Sequence, residues 1–162
     1  MLMLSLMAAL ATCALVAWAG RSLGLQKLSL VLILNFAVCN VVVHWGLVDM
    51  PLRAAVFAVV DGVSMGLSLA IMYGDGVHRG MRRPFLFTYI CMLTTHAAVL
   101  IGWLSRRDVY VYDAILNILF VSQMLICTGA GLGNVVGMVR EYLDRRNGMV
   151  GGGVRVRHGR HP

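Results

Sequence analysis

Five apolar stretches, each about as long as the roughly 20 residues needed to cross 30 Å of hydrocarbon, dominate this sequence, and only one of them contains a charged residue. They run over 2–20, 28–47, 54–73, 85–104 and 114–139, and the single intramembrane charge is Asp61. The links 21–27, 48–53, 74–84 and 105–113 are short and carry Arg, Lys, Asp, Gly and Pro. Short links make sequential helices antiparallel neighbours. The expected fold is therefore an all-α integral membrane protein, a single transmembrane helical bundle over 1–147. A flexible Gly/Arg-rich tail over 148–162 follows.

Composition excludes the main alternative. With 59% hydrophobic and 13% charged residues in 162, the chain is far from the roughly 25% charged residues of soluble domains. So short a chain cannot bury that much apolar surface within itself, which leaves the lipid bilayer as its partner. The net charge of +7 would suggest nucleic acid in a soluble protein. Here the basic residues sit between and after apolar stretches, so they are read as topology signals and no nucleic acid is expected.

Orientation follows from counting Lys and Arg on alternate sides. One side holds eleven: Arg21, Lys27, Arg79, Arg82, Arg83, Arg140, Arg145, Arg146, Arg155, Arg157 and Arg160. The other holds three, Arg53, Arg106 and Arg107. This places the N-terminus outside and the C-terminus in the cytoplasm. Ala17-Trp18-Ala19 resembles a signal-peptide cleavage site, but no basic residue precedes the apolar run and cleavage would invert every later link. Trp45, Trp103, Tyr110 and Tyr112 fall at the outer ends, and Trp18, Tyr73, Phe85 and Tyr142 at the inner ends, as interfacial anchors. The last helix is expected to continue through Glu141 and Arg145 until Gly148 and Gly151 to Gly153 break it. The basic tail beyond can lie on anionic lipid. Short basic links and a Met-rich apolar start suggest a bacterial inner membrane.

Polar residues at membrane depth are expensive, so they carry the functional information. Asp61, Ser64 and Ser68 share one face of the third helix, and Asn40 and His44 one face of the second; Asn35 is turned away and needs a different partner. Asp61 and His96 each lie eight residues inward from an outer link, which at 1.5 Å per residue puts both about 12 Å deep. Asn40 and Gln123 fall at similar levels. The expected polar site is thus an Asp61/His96 pair with Asn40, Ser64 and Gln123 as hydrogen-bonding neighbours, in a cavity reached from outside. Such a pair in low dielectric can relay protons or hold a cation. The plainer alternative is that these groups only satisfy one another between helices.

No cofactor or metal is expected. His44 and His96 differ in depth by too much to share a haem iron, and His158 and His161 lie in the tail. Cys13, Cys39, Cys91 and Cys127 all fall within spans and read as small apolar residues. No hydrolase, zinc-protease or phosphate-loop motif occurs, so the chain is not expected to be an enzyme. Gly129, Gly133 and Gly137, four residues apart, form a ridge that lets helices approach closely, within the bundle or between subunits.

These features favour a small protein acting by helix assembly, as a homo-oligomer or with a membrane-complex partner. In general character it resembles phage holins, with no family motif matched, or an accessory subunit of a membrane complex. The alternative is an oligomeric carrier or channel for protons, cations or small solutes using the Asp61/His96 pair.

Overall fold

The computed structural model describes residues 2–44, 49–75, 77, 79–105 and 108–151. Five helices make up nearly all of it: α1 (Leu2–Ala19), α2 (Leu23–His44), α3 (Met50–Gly74), α4 (Arg79–Leu100) and α5 (Val109–Gly151). There is no strand among the described residues. Three helices contain stretches long and apolar enough to cross a membrane, Leu23–Val43, Met50–Gly74 and Val109–Arg146. α1 contributes a shorter apolar stretch, Leu6–Ala19. α4 opens on Arg79, Arg82 and Arg83 and carries Thr88, Thr94, Thr95 and His96 further on.

Each of α2 to α5 begins earlier than its apolar stretch because the charged residues beside the stretch are helical too. Lys27 lies in α2, Arg53 in the first turn of α3 beside Pro51, and Asp113 in α5. At its far end α5 runs through Gly148 to Gly151, so Gly148 does not break it. The Arg145–Glu141 ion pair, 2.6 Å, spans one turn of that extension. Residues 152–162, with most of the basic tail, lie outside the described residues, as do Trp45, Arg106 and Arg107.

The connections are specific. Arg21, with φ of 49°, turns the chain from α1 into α2. α4 ends at Leu100, and the φ of 81° at Gly102 just beyond lets the amides of Trp103 and Leu104 return to the carbonyl of Ala98. In the Ser105-x-x-Asp108 turn the Asp108 carboxylate accepts from both the amide (2.9 Å) and hydroxyl (2.8 Å) of Ser105. Those bonds hold the carboxyl of Asp108 below its ordinary range.

Sequential helices pack side by side, α1 on α2, α2 on α3, α3 on α4 and α4 on α5; α5 returns to α1 and also touches α2. The result is a closed ring of five. Its main core joins Leu10, Cys13, Leu28, Leu32, Met72, Phe85, Tyr89 and Met124. A smaller cluster of Met50, Ala54, Phe57, Val99 and Tyr112 closes the Arg53 end.

The close approach of α1 to α5 occurs at Gly131. A Cβ there would stand 2.7 Å from Val16 Cγ1 and 3.2 Å from the Val16 backbone, and one at Gly20 would stand 3.1 Å from the Gly131 carbonyl. A Cβ added at Gly129, Gly133 or Gly137 would meet nothing within 4 Å. Gly131 is turned about 200° from Gly129 and Gly133, at 3.6 residues per turn, and only its face meets α1.

Two aromatic assignments also change. Trp18, Tyr73, Trp103, Tyr110 and Tyr142 are exposed, but Phe85 and Tyr112 are fully buried and so are not surface anchors. Tyr112 is two residues, about 200°, round the helix from the exposed Tyr110, so one of the two had to face inward.

Candidate functional site

α3 builds the floor of the site. Asp61, Ser64 and Ser68 recur at helical spacing on its inward face, and all three are buried. α4 brings His96 against them and α2 brings Asn35. His96 Nε2 lies 2.8 Å from Asp61 Oδ2, with His96 0% and Asp61 3% exposed at the side chain. The Asn35 amide donates to Asp61 Oδ1 at 2.7 Å and to Ser64 Oγ at 3.1 Å. The Cys39 thiol, one turn along α2, donates to Asn35 Oδ1 at 3.3 Å. Both carboxylate oxygens therefore have a partner, as a charge in low dielectric requires.

The chain of bonds continues past the imidazole. Tyr112 from α5 lies 2.8 Å from His96 Nδ1. Its ring meets the imidazole edge-on, and Phe57 does the same from α3. With a neutral imidazole, Nε2–H donates to Asp61 and the Tyr112 hydroxyl donates to Nδ1. With an imidazolium, Nδ1–H donates and the Tyr112 oxygen accepts. Uptake of one proton by the imidazole, with a rotation of the Tyr112 hydroxyl, thus separates the two states of the triad.

Arg53 caps this end. Its Nη2 is 2.8 Å from Asp113 Oδ1, and its guanidinium stands 5.6 Å from the centre of the Tyr112 ring. Arg53 Nε is buried with no hydrogen-bond partner among the described residues. At the opposite end of α3, Asp75 pairs with Lys27 at 2.9 Å.

A cavity of about 360 Å³ lies between α2, α3 and α5. Asp61, Asn35, Asn40, Arg53, Asp113 and Asn117 give it polar walls, and the stacked Phe36 and Phe120 rings, 5.6 Å apart, line its apolar side. It reaches from the Arg53–Asp113 pair down to the carboxylate.

The structure brings together some of the residues expected to share this site and leaves others apart. Asp61, His96 and Ser64 belong to one bonded cluster. Asn40 lines the cavity, but its amide donates to the Phe36 carbonyl of its own helix at 2.8 Å. Gln123 lies against Met92, Nε2 to Sδ 3.6 Å, and makes no bond to the cluster. Depth along an axis fixes height and not rotation, and α2 turns its Asn35 face toward α3. Tyr112 and the Arg53–Asp113 pair were missed because end-of-span aromatics and link arginines are ordinarily anchors and topology signals. The spacing of Asn35 and Cys39, one turn apart, was the available sign of that α2 face. The four cysteines are free thiols, with Cys13 and Cys127 buried side by side.

Compared with protein-family models, curated proteins and solved structures, the chain matches none.

Proposed function

We propose that this chain is a five-span protein of a bacterial cytoplasmic membrane, N-terminus outside, that passes protons through the Asp61/His96 pair as a carrier or channel. The single observation carrying this is the buried Tyr112–His96–Asp61 chain with its carboxylate on the wall of the 360 Å³ cavity. A proton delivered from the cavity converts the carboxylate–imidazole pair from net negative to neutral. Tyr112 absorbs the change by switching from donor to acceptor, so His96 keeps a partner at both ring nitrogens. The proton is the favoured cargo because His96 and Tyr112 can each both give and take one. No enzymatic role is proposed.

Five spans rest on α1, which has 18 residues and no charge, and on the uncharged run from Pro84 to Leu104, besides the three longer helices. The eleven-to-three division of Lys and Arg supports the orientation. The experiment is proton flux into proteoliposomes carrying a pH-sensitive dye, driven by a potassium diffusion potential. Wild type should acidify the vesicles, Asp61→Asn should lower the rate at least tenfold, and Asp61→Glu should retain part of it. Equal flux in wild type and Asp61→Asn would overturn the reading.

One observation favours assembly as a second reading. Gly129, Gly133 and Gly137 look into open space on α5, so a helix of a second copy, or of a partner in a membrane complex, can seat there. A holin-like lesion or accessory subunit would use that face. Gly133→Leu should then lower the oligomeric mass in mild detergent, and an unchanged mass would remove the ridge from consideration.

A further inference from the structure

The polar face of α3 does not stop at Asp61. Ser64 and Ser68 continue it toward the Lys27–Asp75 end, and Ser68 lies seven residues on, about 10 Å at 1.5 Å per residue. Tyr89 lies seven residues from His96 along α4 in the same direction. Counted from the Asp61–His96 contact along the packed helices α3 and α4, Tyr89 is therefore level with Ser68, and both are buried. Yet Tyr89 Oη and Ser68 Oγ, both on residues 0% exposed, have no hydrogen-bond partner among the described residues. Gln123 Oε1, against Met92 less than a turn from Tyr89, is a third such atom.

Three orphaned polar atoms in one region of a bundle core contradict the rule that buried polar groups are bonded. Each left bare keeps the full desolvation cost of an unmade bond. A buried water needs two to four polar partners, and this region supplies them. We propose that Ser64, Tyr89 and Ser68, joined by internal water that also satisfies Gln123, form the inward-leading branch of the proton path. The branch begins at Asp61, because the Asn35 amide that bonds Asp61 also bonds Ser64.

The transfer balances. Asp61–H releases its proton to internal water, which passes one of its own to the Ser64 oxygen; Ser64 passes on its own, and the Tyr89 hydroxyl, water and Ser68 hydroxyl each accept one proton and release another. No bond other than O–H changes and no redox partner is required. The outer half of the path is then the cavity, the centre the Asp61/His96 pair, and the inner half this file of hydroxyls, ending above the Lys27–Asp75 pair. α3 from Arg53 to Asp75 spans the whole route, 22 residues or about 33 Å, which matches a bilayer core.

This inference rests on the proton-carriage reading, and its test separates the two. The full chain is reconstituted as wild type, Asp61→Asn, Tyr89→Phe and Ser68→Ala, with folding checked by circular dichroism. Flux is measured as above, and internal water by O–D stretching bands in infrared spectra of samples equilibrated in D2O. We expect weakly bonded O–D bands in wild type that diminish in Tyr89→Phe and Ser68→Ala, and a tenfold or greater fall in flux in Tyr89→Phe. Bands unchanged in both variants overturn the inference. So does flux retained in Tyr89→Phe and Ser68→Ala but lost in Asp61→Asn, an outcome that leaves carriage through Asp61 standing. Absence of flux in wild type overturns both.

Discussion

Asp61 and His96, 35 residues apart in the chain and on different helices, meet at 2.8 Å with neither side chain more than 3% exposed. The pair joins α3 to α4 through a bond that neither helix can replace from within itself. Removing one partner leaves the other buried without its counterpart, whereas removing both takes away the ionisable pair and leaves only the neutral Asn35 amide and Tyr112 hydroxyl short of a bond.

That asymmetry sets the first prediction. His96→Leu should destabilise the protein by about 3–5 kcal/mol, while Asp61→Leu combined with His96→Leu should recover part of that loss, the remainder being the unpaired Asn35 amide and Tyr112 hydroxyl. Thermal unfolding in mild detergent at fixed pH measures both. Equal loss in the single and double variants would mean that shape, and not charge pairing, governs this contact.

The contact of α1 with α5 predicts a contrast between neighbouring glycines. Gly131→Ala puts a methyl 2.7 Å from Val16 Cγ1 and 3.2 Å from its backbone, so α1 must shift, at about 1–3 kcal/mol for overpacking. Gly133→Ala meets open space and should leave the unfolding of the monomer unchanged or slightly improved. Unfolding midpoints that rank the other way would contradict the assignment of the contact face.

At Gly102 the backbone itself is the constraint. Its φ of 81° is a left-handed conformation that an L side chain adopts at a penalty of about 1–2 kcal/mol. Gly102→Ala should lower stability by about that amount even though a Cβ there touches nothing. Gly102→Asn, which tolerates this region better, should recover part of the loss.

The turn between α4 and α5 carries a pH signature. Asp108 accepts two bonds from Ser105, and its carboxyl titrates below the ordinary range. A folded value depressed below the unfolded one means that its contribution is fully present above about pH 4 and is lost as pH falls through the folded value. In the Ser105→Ala variant, where the hydroxyl bond is gone, carboxyl chemical shifts in a titration should show Asp108 moving up toward an ordinary aspartate. An unchanged titration would remove the Ser105 hydroxyl as a cause.

Helix existence was legible because it depends on local quantities. A run of apolar residues, an interrupting charge and a short link suffice to delimit α2, α3 and α5, and the structure supports these as spans by length and composition. The ends were less legible, since Lys27, Arg53 and Asp113 are polar residues inside helices and hydropathy alone cannot see them as helical. Helix α4, with arginines at one end and His96 near the other, shows the same ambiguity.

For the site, the residues themselves announced heights and faces. The 3.6-residue period put Asp61, Ser64 and Ser68 on one side of α3, and equal distances from the links put Asp61 level with His96. How far each helix is rotated about its axis is a different quantity, set by all the neighbours at once through close packing. Rotation is what placed Asn35 on the carboxylate instead of Asn40, turned Tyr112 inward to His96, left Gln123 against Met92, and chose Gly131 over the Gly129–Gly133–Gly137 ridge as the surface that α1 touches. Sequence by itself determined that five helices form and at what heights along them the polar groups lie, because both follow from composition and rise per residue. Which of those groups touch was decided only by the tertiary structure, because a hydrogen bond needs agreement to within a few tenths of an ångström between residues that the chain holds tens of positions apart.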